Sequence, residues 1–450
     1  MRNTLTGPES VYRRLVAAGY NVVVFAPKDA VEIIRQSFGI TAEAVILDRS
    51  VTRLEKVSDF ITKHLNLTRM QILGSKYGLR HNLDKKTRHG YLHIFRVIVA
   101  HTLGKSRWFR LTVAPRLHLL AYKRRPMRAL LEKYQPDIVF LPNPGSFQSE
   151  ETLRECKRQH LATVGMVGSW DHPHKKFHVL HTDTIFVWST SLEQELIELQ
   201  SYTPEQIIVS GAPHFDLFQQ PNFILSREAF FAEMGLDPHK RLITLFSGTG
   251  RAPDEGDIVD MVVRWNKDGK TVVPIAVHIR TYPSDPEDHI KFDQFQGATD
   301  VYIDWIDYGK KFGPFPLEYF PDEAYMTRVI SLFYHSDTVL SVYSSASVEA
   351  SIFLKPSINI AFDGYKDRPF EESVKRFVYQ SHFDKLFATG AVLDTHTPDE
   401  LLAAINRVLT EPECNRANII KLQETVCGPL DGKATERMVE HIEARLQSTK

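Results

Sequence analysis

Short apolar, β-branched runs alternate along most of the chain with stretches of helical period, and glycine, proline, serine or aspartate punctuates the junctions. The pattern predicts helices over 10–19 and 31–38 with strands over 21–26 and 44–47. After an interruption it resumes with helix 127–134, strand 137–141, helix 150–159, strands 162–167 and 184–188, helix 192–199 and strand 206–210. A connector with one short helix near 226–234 follows. A second set runs through strand 242–246, helix 256–265, strands 272–279 and 301–306, and helix 322–333, and helices 399–409 and 434–446 close the chain. Such alternation implies parallel sheets covered on both faces. The expected fold class is α/β: two doubly wound, Rossmann-like domains facing a cleft. The expected boundaries are 1–216, a connector over 217–240, a second domain over 241–430 and a final helix over 431–450. A doubly wound domain normally opens on a strand, whereas this chain opens on a helix, so a first strand is missing from the pattern and the natural start is expected upstream.

The stretch 335–363 shows the alternation most plainly. It predicts strand 338–342, the loop Tyr343-Ser344-Ser345-Ala346-Ser347, helix 348–354 stopped at Lys355-Pro356, and strand 357–362. Free N–H groups at a helix start favour an anion, and the serine hydroxyls add donors. Glu349 in the first turn suits the helix dipole, and its carboxylate can accept both hydroxyls of a ribose. A plain serine N-cap with no ligand satisfies the same residues.

At 450 residues the chain suits two domains of roughly 200 residues each. Cys156, Cys414 and Cys427 form no CxxC or close His/Cys cluster, which indicates neither a disulfide framework nor structural zinc and favours a cytosolic setting. No run approaches the ~18 apolar residues of a membrane span. Charge is balanced at 55 of each sign, yet residues 63–133 carry 17 Lys+Arg against only Asp84 and Glu132. Helical period over 92–103 and 111–127 interleaves these cations with Phe95, Trp108, Phe109, Leu119 and Tyr122. Cations mixed with aromatics suit an anionic membrane surface or a phosphorylated acceptor, and equally a solvated face packing its rings inward. No nucleic-acid motif accompanies the charge, so nucleic acid is not an expected partner.

With these segments placed, the chain resembles a GT-B glycosyltransferase of the surface-polysaccharide type, related to the CDP-glycerol glycerophosphotransferases. The resemblance is an order of motifs. Ser169-Trp170-Asp171 resembles the family's Trp-centred loop; Gly211-Ala212-Pro213-His214-Phe215-Asp216 its G-x-P-R-x-D segment; Ile279-Arg280-Thr281-Tyr282-Pro283-Ser284-Asp285 its R-x-H-P-x-D segment. Asp337 through Glu349-Ala350 resembles the donor-site aspartate, serine loop and helix, and Asp431-Gly432-Lys433-Ala434 through Arg437 the terminal D-G-x-A-x-x-R. Two histidine slots of the glycerophosphate transferases hold Asp171 and Tyr282 here, which resembles the sugar-transferring relatives more closely.

The resemblance implies transfer of a sugar from a nucleotide-diphosphate donor to a surface-polysaccharide or lipid-linked acceptor, by a cytoplasmic protein peripheral to the inner face of the cell membrane. The nucleotide-sugar is then a substrate, and no cofactor is implied. Such chemistry needs a base for the acceptor hydroxyl and donors for the departing diphosphate. Asp171 is the expected base, with His172 beside it, although an Asx turn before Pro173 explains Asp171 equally. Gly248, Thr249, His278, Arg280, Tyr282, Ser344, Ser345, Ser347 and Glu349 are the expected nucleotide and diphosphate contacts. His278, Arg280 and Tyr282 share one face if their strand continues, and Arg280 serves equally well as an interdomain ion-pair residue. No D-x-D occurs, so a metal-held diphosphate is not expected. Competing classes are a CDP-polyol phosphotransferase, a nucleotide-sugar 2-epimerase and a non-catalytic GT-B-like nucleotide-binding scaffold.

Overall fold

The structure, a computed structural model, describes residues 5, 7, 9–46, 50–62, 64–66, 68, 90–175, 177–282, 287–304 and 322–448. Most of the basic stretch 63–89 and residues 283–285 of the R-x-H-P-like segment lie outside these residues. The chain divides into two compact units, 1–216 with 431–450, and 217–430.

In unit 1, β1 (Val24–Pro27) and β2 (Ala42–Val45) form a parallel pair. A second sheet holds β3 (Ile138–Leu141), β4 (Ala162–Met166), β5 (Thr184–Val187) and β6 (Ile207–Val209), all parallel and in sequence order. Every residue of β5 is buried, the burial of a strand covered on both faces, which is why it reads as an unbroken apolar run. Val164, Met166 and Phe186 pack with Val11 and Leu15 of the first helix, Val11–Ala17, and with Met438, Val439 and Ile442 of the last, Ala434–Ser448. Asp216 fixes that last helix by accepting the N–H groups of Ala434 (3.0 Å) and Thr435 (2.8 Å) at its N-terminus. Arg437 donates to Asp431 through two nitrogens, at 2.8 and 3.0 Å, and through Nε to the Ser210 carbonyl at 2.8 Å. The glycine-led segment 211–216 and the chain's last motif are thus two halves of one fastening.

Unit 2 holds one six-stranded parallel sheet: β7 (Arg241–Phe246), β8 (Ile275–Arg280), β9 (Val301–Asp304), β10 (Thr338–Ser341), β11 (Ser357–Ile360) and β12 (Val392–Thr395). Its spatial order is β12-β11-β10-β7-β8-β9. Counted from the first strand of the unit, this is the doubly wound order, and the winding reverses between β7 and β10.

Departures from the expected elements have local causes. The helix predicted over 111–127 is π-helical over Phe109–Val113, α-helical over Ala114–Ala121, and then stops. Pro126 disfavours helical backbone at Arg125, and Pro115 sits in the first turn, where its missing N–H costs nothing. β8 starts at Ile275 rather than 272 because Pro274 cannot donate to a ladder. Helix Arg53–Thr62 and β12 were not expected.

The basic segment also needs correction. Arg125 holds the buried Glu155 with Nε at 2.9 Å and Nη2 at 2.6 Å, and Arg124 reaches the buried Glu55 at 3.2 Å and Ser50 Oγ at 3.0 Å. Buried carboxylates require such partners, so these two cations, though reached by water themselves, are committed to neutralising them. Beside the exposed Lys105, Arg107 and Arg116 the segment also exposes apolar side chains: Ile94, Phe95, Ile98, Trp108, Leu117 and Leu120 are all open, Trp108 at 68% and Leu120 at 71%.

Candidate functional site

An open α/β sheet takes ligands outside the carboxyl ends of its strands, where the winding reverses. In unit 2 that place lies between the loops after β7 and β10. The two meet: a Cβ at Gly248 would lie 3.7 Å from Val342 Cβ and only 3.0 Å from Ala252 Cβ, so no larger residue fits without a shift.

After β7, the Gly248 N–H donates to both oxygens of Glu255, at 2.9 and 3.0 Å. Ser247 Oγ lies 2.9 Å from Glu255 and 2.8 Å from Asp288, and Lys291 Nζ bridges the same two carboxylates at 2.7 and 2.8 Å. Burial pushes the Glu255 carboxyl above its usual range, with Lys291 opposing the shift. Glu255 opens helix Glu255–Lys267 and reaches back over the preceding turn to the Gly248 N–H. Gly248 therefore offers its N–H inward, to this carboxylate, and not to an incoming diphosphate. Thr249 begins a short 3-10 turn, Thr249–Arg251.

After β10, Tyr343 adopts a left-handed backbone (φ 43°), and its N–H donates to Asn359 Oδ1 at 2.7 Å. Its ring centroid lies 5.9 Å from Phe377, 5.6 Å from Phe383 and 5.7 Å from Phe387. This anchoring turns the chain into the helix Ala346–Ile352. Ser344 Oγ accepts the Ala346 N–H at 3.2 Å, Ser347 is buried beneath the helix, and Ser345 stands exposed with its hydroxyl making no capping bond. Glu349 is half-buried in the first turn. The three expected hydroxyls reduce to Ser345 with Ser344 behind it. Asp337, first in that motif, sits at the opposite end of the sheet, accepting the Leu242 N–H (2.7 Å) and Arg241 Nη1 (2.9 Å).

The expected wall of His278, Arg280 and Tyr282 is different in kind. The strand ends at Arg280, so its register does not carry on to Tyr282, which is exposed and donates its N–H to Asp288 at 2.7 Å. Arg280 is buried in an ion pair with Asp304, and its Nη2 donates to the Tyr325 hydroxyl at 2.9 Å. Burial pushes the Asp304 carboxyl up, but the charge and hydrogen bond of Arg280, with His278 and Arg328, together outweigh it and leave the group below the usual carboxylate range. His278 is buried 5.3 Å from the Tyr302 ring, and desolvation lowers it to about 4. Neither Asp304 nor Tyr325 was legible beforehand; a strand-end arginine announces that it needs a carboxylate but not which one.

In unit 1 the loop after β4 carries Trp170, buried, and Asp171, which pairs with Lys175 one helical turn on. His172 folds back under the strand ends: a Cβ at Gly168 would lie 3.3 Å from His172 Cε1, 3.3 Å from the Pro142 carbonyl and 3.5 Å from Asn143 Cβ. Burial lowers the His172 pKa, against the pull of Asp171, so the imidazole is neutral near pH 7 and able to accept a proton. His174 instead turns to Glu195, at 3.3 Å. Asp171 and His172 are neighbours in space as in sequence, at the carboxyl ends of β3 and β4.

No family model and no curated protein matches the chain. Solved structures do. A glycosyltransferase from Rickettsia africae ESF-5 matches with a TM-score of 0.50 at 10% identity, over 98% of this chain and 94% of that one. The fold is of the GT-B class. A UDP-GlcNAc 2-epimerase from Neisseria meningitidis, solved with UDP-GlcNAc bound, matches at 0.48 and 11% identity over 94% and 99% of the two chains. A wall teichoic acid polymerase matches at 0.44 and 12% identity over 73% and 86%. At these identities the likeness concerns the fold alone. Among the described residues, no group of three or more His, Cys, Asp or Glu is placed to hold a metal ion, and no helix is long and apolar enough to cross a membrane.

Proposed function

We propose that this GT-B protein transfers a sugar from a nucleotide-diphosphate donor to a surface-polysaccharide or lipid-linked acceptor. The observation that carries the reading is the loop after β10: an exposed serine and a first-turn glutamate stand at a helix start where a doubly wound sheet reverses its winding. Glu349 would accept the ribose hydroxyls, and Ser345 with Ser344 would donate to the diphosphate. His278 and Arg280 would support this edge from within the sheet. In unit 1, Asp171 or the neutral imidazole of His172 would take the acceptor proton, a contribution of about 10²–10⁴-fold.

A thermal-shift panel of UDP, GDP and CDP compounds tests the donor half, since selective binding raises the melting temperature with affinity. Product analysis with and without a glycan acceptor tests the rest. A 2-epimerase would convert its nucleotide-sugar with no acceptor present; a scaffold would bind and convert nothing. Asp171→Asn should abolish turnover while leaving donor affinity unchanged. Retained turnover moves the base to His172.

For the acceptor we propose an anionic membrane surface as the platform. Trp108, Leu117 and Leu120 are exposed beside the likewise exposed Lys105, Arg107 and Arg116, a mixture that suits lipid headgroups better than water.

A further inference from the structure

Across the described residues, half-buried and buried arginines mostly hold carboxylates: Arg280 holds Asp304, Arg368 holds Asp254, Arg154 holds Glu151. Two at the reversal point of unit 2 do not. Among the described residues, neither Arg251 nor Arg376 is in an ion pair, although both are half-buried and Arg251 Nε is buried with no hydrogen-bond partner. Leaving a desolvated guanidinium unpaired is costly, so an arrangement that keeps two of them together calls for a ligand.

Their placement says which. Arg251 ends the turn after β7. Arg376 lies on the turn Val374–Tyr379, where its Nη1 donates to the Ser373 carbonyl at 2.6 Å and its Nη2 to the Arg251 carbonyl at 3.2 Å. The next residue, Phe377, stacks beneath the Arg376 guanidinium at 4.6 Å and packs on Tyr343 of the loop after β10. One short turn thus ties together both loops of the reversal point and brings the two cations to that edge. Burial lowers the Arg376 pKa, and the Arg251 charge adds to the shift. Opposing it are the charges of Glu372 and of Asp363, whose carboxylate accepts the Val374 N–H at 2.8 Å.

We propose that Arg251 and Arg376 form the diphosphate clamp of the site, donating to the terminal phosphate while Ser345 contacts the inner phosphate and Glu349 holds the ribose. The naming of the ligand as a nucleotide rests on the function proposed above; the clamp itself requires only a diphosphate. Planar guanidiniums suit this task because they present paired donors to phosphate oxygens.

Calorimetric titration of the full chain with UDP, GDP and CDP, their monophosphates and inorganic pyrophosphate tests this. The wild type should prefer one diphosphate to its monophosphate. Arg251→Gln and Arg376→Gln should each weaken that diphosphate about tenfold or more, the loss of a charge-assisted contact, while the monophosphate changes far less. Lys375→Gln, which removes an exposed charge from the same turn, should change neither. Equal losses on both nucleotides, or none, overturn the clamp. If a nucleoside diphosphate binds wild type and arginine variants alike, the clamp falls and the nucleotide reading stands. If only pyrophosphate binds, and depends on both arginines, the clamp stands and the nucleotide reading falls.

Discussion

In the basic segment of unit 1, Arg124 and Arg125 are taken up from the surface by the buried Glu55 and Glu155. At the reversal point of unit 2, in a stretch that charge pattern does not single out, Arg251 and Arg376 are in no ion pair among the described residues. The contrast shows that a count of charges locates cations but not available cations. Availability depends on whether folding delivers a buried carboxylate, which is a matter of long-range packing. Glu155 lies 30 residues from Arg125, and Asp304 lies 24 from Arg280.

Stability measurements can break this distinction between paired and unpaired arginines. Arg280→Ala leaves the buried Asp304 with only the Arg328 guanidinium at 3.8 Å, so we expect a loss of about 3–5 kcal/mol in urea unfolding. Arg376→Ala strands no carboxylate in an ion pair and should cost under about 1 kcal/mol. Equal costs would erase the comparison.

Acid sharpens it further, because among the described residues each unit holds a histidine whose pKa desolvation lowers to about 4, the buried His278 in unit 2 and the half-buried His181 in unit 1. Unfolded, each takes its proton near 6.5, so between pH 6.5 and 4 the unfolded chain binds more protons and stability must fall as pH falls. The full effect is about 3 kcal/mol per histidine. His278→Gln should flatten the pH dependence; an unchanged slope would show that His278 is not held neutral.

At the donor site, Glu349→Ala should weaken nucleotide binding by about 1.5–3 kcal/mol with the melting temperature of the free protein preserved. Unchanged affinity for every nucleotide would remove Glu349 from the site. The smallest effect is expected in unit 1. Arg125→Glu should lower the urea midpoint and Lys123→Glu should not, because Lys123 is exposed whereas Arg125 holds Glu155. Binding to anionic vesicles should fall with salt and with Trp108→Ser plus Leu120→Ser. A wild type that ignores anionic vesicles at low salt would end the membrane reading.

The alternation of strand and helix was legible throughout because it is local: apolar period, N-caps such as Ser10 and Ser226, and stops such as Lys355-Pro356 act within a few residues. The strand, loop and helix around Ser345 and the first-turn position of Glu349 were legible for the same reason, although the helix starts at Ala346, two residues before the expected 348. β12 escaped notice because Val392–Thr395 is only four residues and mixes apolar with polar side chains, so its strand character comes from pairing with β11. Pairing order, with the reversal between β7 and β10 that defines the site, is a property of the assembled sheet. So are the partners of the charged groups. The sequence by itself determined which segments become strands and helices and which loops follow them. Tertiary structure decided that Gly248 faces Glu255, that Arg280 faces Asp304, and that Arg251 and Arg376 join no ion pair among the described residues. Backbone preference is settled within a turn or two, whereas the desolvation that makes a charge need its partner exists only once distant segments have closed around it.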